Sequence, residues 1–464
     1  MAATEPSNSA KQTVVVVGSG LAGLATAYLL NSDPCQRYSV TLLECDSHFS
    51  LDSASVTIRD EAQRTVERID MPMRAFAQGY YNNLIRMYNY LGIRYNPQLF
   101  VYTFSQKNDS PVQRETAQGS YFVHTSNSHK LPPIRPDGMR LIPWLLDLVY
   151  VAACYLWWSL CCFWIPPKPA THLRECESLN EYMRRIMLPQ RFVVLYLVPL
   201  LASVATCTHE ALLQFPARDL IEYRKQSAGG QHFRVAELDQ VQRTLGAGLD
   251  VRFSTVVKRV EAVQGSKKVR ILSTTSDGFE REETFDHVVL AVAPGVVGKI
   301  YQPLERAMTQ IPSTLVESVA QTSGMKWSPR ARESVSGAAH TLHFRTSTVQ
   351  AQTESIHVYP SGAIVTTCPF HDISSAENVV KSAKFFRGLR TPRSRRIVNS
   401  IFGENMDGFR VDEKDSVWRN GDDNVWLVGG WCWDGMVLLE GCIVSAMRVA
   451  QAFSIDIPWR STSL

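Results

Sequence analysis

The sequence has no C-x-x-C pair among its 10 cysteines and no His/Cys spacing of the kind that holds zinc. Neither a small disulfide scaffold nor a metal centre is therefore expected. Charge of one sign is also lacking. Its 48 basic residues stand against 44 acidic ones, a formal charge of +4, so composition gives no reason to expect a nucleic-acid partner. There is no internal repeat or low-complexity tract after the opening residues. Residues 1–12 contain no basic n-region and no apolar run, and they carry Glu5. They read as a disordered tail rather than a secretory signal. What remains is 464 residues that are 45% hydrophobic and 20% charged, about three domain-lengths of ordinary globular chain. A reduced, cytosol-facing protein that is not secreted is the expectation.

The first chemistry follows at once. Four valines, Val14 to Val17, read as a buried parallel strand. Gly18-Ser19-Gly20-Leu21-Ala22-Gly23 then opens an Ala/Leu-rich helix reaching about Leu30, and a second strand, Ser39 to Leu43, ends on Glu44. Each glycine has its own task. Gly18 allows the tight turn, Gly20 lets backbone approach a pyrophosphate, and Gly23 lets the helix lie close to the strands. The helix N-terminus offers free N–H groups and partial positive charge to phosphates. Glu44 can hold the hydroxyls of an adenosine ribose, and its charge disfavours a 2′-phosphate. The alternative is a glycine turn between two packed elements; the complete strand–helix–strand context favours dinucleotide binding.

The fingerprint alone does not separate NAD from FAD. Three later segments bear on that choice: Val251 to Val260, Phe285 to Pro294, and Val425-Trp426-Leu427-Val428-Gly429-Gly430 leading to Leu438-Leu439-Glu440-Gly441-Cys442. Together they resemble the flavin amine oxidase, phytoene desaturase and protoporphyrinogen oxidase superfamily, with fungal members nearest in pattern. The likeness spans residues 13–80, 245–300 and 425–452. It implies FAD as cofactor, with Val257 beside adenine and Gly430, Trp431, Leu439 and Glu440 around the flavin end. It also implies an α/β plus α+β fold. The Rossmann-type FAD-binding domain is assembled from discontinuous segments (13–84, 226–300 and 421–455). A second, substrate domain (85–225 and 301–420) combines an antiparallel sheet with helices.

Two positions depart from the family pattern. The stretch Asp46 to Asp52 has no glycine where the family carries a pair, and Trp431 stands where an acidic residue is usual. No catalytic residue can be assigned. The resemblance places Arg74 near the flavin ring, where a fixed cation would stabilise a reduced, anionic flavin; pairing with Asp70 or a helix end is the alternative. Trp431 and Trp433 are candidates for an aromatic cage, or simply core. Asp434 reads as a helix N-cap or a general base, with the cap favoured. His232 and His340 are weaker candidates for proton transfer, and Lys326 a weak candidate for the lysine that the resemblance implies near the flavin.

The middle of the chain is greasy. Leu148 to Ile165 carries no charge and one serine. As a helix, 18 residues span roughly 27 Å, close to a hydrocarbon core. One crossing would place the two halves of the FAD domain on opposite sides of a membrane, so monotopic or hairpin attachment is expected, with this helix at the mouth of the substrate cavity. A buried core helix is the alternative. Arg387, Arg390, Arg393, Arg395 and Arg396 read as a solvated basic loop that would meet anionic lipid if it lay nearby. The leading function is FAD-dependent dehydrogenation of a C–N or C–C bond in a lipophilic small molecule. An NAD(P)H-linked flavin reductase and a non-catalytic flavin-binding scaffold are the alternatives, and the oligomeric state is open.

Overall fold

The structure, a computed structural model, describes residues 11–60, 65–107, 120–125, 133–136, 138–171, 174–322, 339–375, 377–403 and 418–460. Lys326 and the expected tail, up to residue 10, lie outside these.

The valine run ends the strand Gln12–Val17, and Val14 to Val16 are wholly buried. It is the middle strand of a five-stranded sheet ordered Asp250–Arg252, Tyr38–Leu43, Gln12–Val17, His287–Leu290, Val425–Leu427. Every pairing is parallel, with Val15 opposite Val288 and Val288 opposite Val425. A parallel sheet is covered on both faces, and continuous apolar runs are what such burial requires. The helices Leu21–Asn31 and Leu439–Ala452 pack against each other. Chain segments from both ends thus build one sheet, and everything inserted between them must leave it and return.

The segment Val251 to Val260, expected as one strand, divides in two. Asp250–Arg252 joins the parallel sheet, Ser254 turns the chain at φ +52°, and Thr255–Ala262 enters a three-stranded antiparallel sheet. The break is held from outside: Ser254 N–H donates to the Asp46 carbonyl at 2.9 Å and Thr255 N–H to that of Glu44 at 2.8 Å. Those bonds bring the turn against the end of the second strand.

A seven-stranded sheet carries the later insertion. Gln352–Val358 and Ile364–Thr367 pair antiparallel within it, while Phe100–Gln106 and His340–Ser347 pair in parallel.

The apolar helix is Leu141–Trp164, 24 residues, and begins before the uncharged run. Asp147 does not interrupt it because its buried carboxylate accepts from Arg191 at 2.5 Å and from the Tyr196 hydroxyl at 2.5 Å. One face, with Val151, Cys154, Trp158, Cys161 and Cys162, is buried. The other exposes Ile142 (70%), Leu146 (68%), Val149 (67%), Leu156 (60%) and Trp164 (80%). It is neither a wholly buried core helix nor a helix clear of the protein. By length and composition it could cross a membrane, the one such helix among the described residues. The next apolar stretch, Gln190–Ala205, is too short for that. It contains a π-helical turn, Val193–Leu197, where Val198 N–H bonds the Val193 carbonyl just before Pro199. Proline supplies no N–H and crowds the preceding turn, so the ladder widens there.

The expected basic loop does not exist as such. Arg387 ends the strand Val379–Gly388. Arg390 is buried and donates to the carbonyls of Trp431 and Trp433, both at 2.9 Å. Arg393 bonds Gln310, Arg395 is buried against Asp434, and Arg396 pairs with Glu175. Arg390, Arg393, Arg395 and Arg396 are thus engaged by partners within the protein rather than gathered on one solvated loop.

Candidate functional site

The turn after the first strand has the geometry that its glycines require. Gly18 lies at φ +101°, and a Cβ there would meet the Ala291 carbonyl oxygen at 2.8 Å. A Cβ on Gly23 would meet the Gly18 oxygen at 1.9 Å. Gly20 differs: nothing lies within 4 Å of where its Cβ would be. Two glycines are therefore required by packing and the third faces open space. The helix that starts at Leu21 has no side-chain cap on its first turn. The amides of Leu21 and Ala22 stand at a helix N-terminus, the donor set a pyrophosphate needs.

Glu44 ends the second strand beside this turn. Its carboxylate accepts from the N–H and hydroxyl of Ser19 and from the Asp46 N–H. Burial pushes its carboxyl up, but the hydrogen bonds from Ser19 and Asp46 outweigh that, and the net shift is downward. It stays ionised. Where the family has paired glycines, serines knit the turn instead: Ser50 N–H donates to Ser19 Oγ at 2.8 Å. Val257 lies on the strand that leaves the Ser254 turn, just before a register shift in its pairing with the neighbouring strand. The buried, open-faced turn fits the phosphate end of FAD, with the Ala22 amide also turned to the Cys442 sulfur.

The other end of the site is built from both insertions. The Glu440 side chain is engaged within the protein. Its carboxylate takes the amides of Asn83 (2.9 Å) and Leu84 (3.1 Å) and the Asn83 side chain, and so caps the helix Asn82–Tyr90. Only its backbone remains for the cofactor, with that of Leu439 in the first turn of Leu439–Ala452. Trp431 is 5% exposed and donates its indole N–H to the Val292 carbonyl at 3.2 Å, so it is core, not cage. Trp433 is half-buried, with its indole N–H on the Met436 carbonyl at 2.9 Å. A Cβ on Gly441 would strike that indole at 2.4 Å, so a glycine is needed for Trp433 to lie on the helix start. Gly430 sits close by, its missing Cβ 3.0 Å from the Leu438 oxygen.

Asp434 is neither a helix cap nor a free base. It forms a buried ion pair with Arg395 at 2.6 Å and accepts from Asn399 at 3.2 Å. Arg74 is half-buried, and its Nη1 is buried without a hydrogen-bond partner. Burial pushes its pKa down, opposed by Asp70 and Asp52. His340 is hydrogen-bonded to His357 at 2.8 Å, and burial lowers its pKa to about 3.

A cavity of about 580 Å³ lies in the inserted region, within the range of small-molecule sites. Phe104, Phe122, Trp158, Tyr196, Leu201 and Val204 are among its walls. Tyr223, Arg224 and His232 also line it, and the pKa of His232 is lowered by burial to about 4. Tyr223 touches Tyr80 edge to face at 4.8 Å, and Tyr80 meets Trp433 at 6.0 Å. Three rings thus connect the cavity wall to the start of the C-terminal helix. Sequence reasoning named Trp433 and His232 but missed Tyr223 and Arg224. They sit on the amphipathic helix Ala217–Gln226, where no motif separates a cavity-facing residue from a surface one.

Comparison with known proteins agrees with this geometry. Residues 16–91 match an NAD(P)-binding Rossmann-like domain, and residues 172–373 match the family of flavin containing amine oxidoreductases. Among solved structures, a CLA-producing fatty acid isomerase from P. acnes superposes with a TM-score of 0.59 at 13% identity, covering 96% of this chain and 100% of that one. Cyclohexylamine oxidase from Brevibacterium oxydans IH-35A gives 0.57 at 12% identity, covering 96% and 99%. At such identity these two likenesses carry the fold alone. No curated protein sequence matches. The two family matches, together with a sheet closed by both chain ends, identify the chain as a member of the flavin amine oxidase superfamily, an oxidoreductase with FAD as its cofactor.

Proposed function

We propose that this enzyme dehydrogenates a lipophilic small molecule across a C–N or C–C bond while attached to a membrane surface. The apolar 580 Å³ cavity, joined by Tyr223 and Tyr80 to Trp433, is the observation that carries this reading. Bound FAD would supply hydride-accepting, two-electron redox chemistry, with oxygen or another acceptor as the final oxidant. The chain's part is to bind, orient and exclude water. The backbone at Gly20, Leu21 and Ala22 receives the pyrophosphate, Glu44 the ribose, and Val257 the adenine. Gly430, the Trp431 backbone and the Leu439 amide border the ring. Arg74, its buried Nη1 still unpaired, supplies a cation beside that ring. The substrate proton passes to water at the cavity mouth, since burial makes the lining His232 a weak base and apolar side chains dominate the walls.

Attachment follows from the exposed face of Leu141–Trp164, which is fixed to the protein by its other face. Anaerobic mixing of the yellow holoenzyme with fatty acids, long-chain amines, terpenoids and polyenes is the test. Bleaching of the flavin bands by one of them supports the proposal. Bleaching by NAD(P)H alone makes the protein a reductase, and no bleaching by any of them leaves a scaffold.

A further inference from the structure

We infer that the cavity binds a lipophile bearing a carboxylate, and that Arg224 holds that headgroup. The inference rests on the cavity being the substrate site and narrows the substrate class. Arg224 lies near the end of the helix Ala217–Gln226, with its guanidinium 5.3 Å over the Tyr155 ring and Nη2 donating to Ser159 Oγ at 3.1 Å. Its Nε is buried and has no hydrogen-bond partner. Other cations of this region are matched: Arg185 by Glu177, Arg191 by Asp147, Lys225 by Glu222. Arg224 has no carboxylate partner among the described residues.

The chemistry of the walls points the same way. No aspartate or glutamate is among the described lining residues, and burial keeps His232 neutral, so Arg224 gives the cavity a positive character. An ammonium head entering there would meet like charge in an apolar surround, where charge repulsion is poorly screened. A carboxylate would meet, on the cavity wall, a guanidinium that no acidic side chain among the described residues yet neutralises. The position also suits an amphiphile. Leu156 both lines the cavity and is 60% exposed on the outer apolar face, so the mouth opens beside the surface assigned to lipid. An alkyl chain can pass from one apolar environment to the other.

The test uses the full-length, FAD-loaded protein and three probes with the same chain: oleate, methyl oleate and oleylamine, each below its aggregation concentration, with binding followed by equilibrium dialysis. The wild type is expected to bind oleate about tenfold or more tighter than either methyl oleate or the cationic oleylamine, a difference set by one charge-assisted contact. Arg224→Met, which keeps the apolar stem over Tyr155, is expected to remove that preference and leave methyl oleate binding unchanged. Equal affinity for the three probes in the wild type overturns the inference, and so does an Arg224→Met protein that still prefers oleate. The wild-type comparison stands even where the variant does not fold. Failure of the underlying reading looks different: oleate is preferred, yet no lipophile bleaches the flavin.

Discussion

Tyr80 and Tyr223 meet edge to face, with ring centroids 4.8 Å apart and planes at 72°. One belongs to the segment that leads into the helix capped by Glu440; the other precedes Arg224 on the cavity wall. The contact joins the chain ahead of the helix Asn82–Tyr90 to the cavity wall. Burial raises the pKa of both phenols, that of Tyr223 to about 12, so both stay neutral through the working range. Tyr223→Phe keeps the ring and is expected to shift the thermal midpoint by no more than about 2 °C. Tyr223→Ala is expected to cost about 2–4 kcal/mol in urea unfolding and to slow flavin bleaching.

Gly20 and Gly23 should separate cofactor binding from folding. Gly20→Ala adds a methyl to open space and is expected to leave the thermal midpoint unchanged while lowering FAD content. Gly23→Ala drives a Cβ into the Gly18 carbonyl and is expected to destabilise the fold by about 1–3 kcal/mol or more. Thermal melts alongside the ratio of flavin to protein absorbance check both.

That pair also marks how far the sequence could be read. The strand–turn–helix with Glu44 was legible because each glycine had a local steric reason, and the same pattern recurs in the structure. The apolar helix was legible as a hydrophobic run, although its start was not, because Asp147 looked like a boundary until Arg191 and Tyr196 were seen to satisfy it. Charge clusters misled for a related reason. Arg390 and Arg395 look solvated in a linear reading, but their partners Trp431, Trp433 and Asp434 lie about 40 residues away. The roles of Trp431 and Glu440 were set by contacts with Val292 and Asn83, which no local spacing reveals. Arg224 was invisible because its significance is the lack of a carboxylate partner.

Stability should fall on acidification. Burial lowers the pKa of His209 to about 4 and those of His340 and His343 to about 3, against an ordinary value of 6.5. Between these limits the unfolded chain binds more protons than the folded one, so the contribution is complete above about pH 6.5 and is lost as pH falls toward 3–4. The slope approaches roughly 1.4 kcal/mol per pH unit for each histidine. Urea unfolding at pH 7.5 and 5.0 is expected to show the lower midpoint at pH 5.0, and replacing His343 with Gln to reduce the difference.

Ile142 and Leu146 are 70% and 68% exposed on the outer face of the apolar helix. The double change Ile142→Glu, Leu146→Glu is expected to leave folding within about 0.5 kcal/mol, since it alters an exposed face. It should abolish flotation with phosphatidylcholine vesicles that carry the wild type upward. A wild-type protein that stays at the bottom of the gradient removes the membrane assignment.

The most direct measurement is the amount of FAD released per chain when the purified protein, reconstituted with excess cofactor and desalted, is denatured. The account predicts one FAD per chain, reduced several-fold in Gly20→Ala with folding intact. A folded chain that retains no FAD contradicts it.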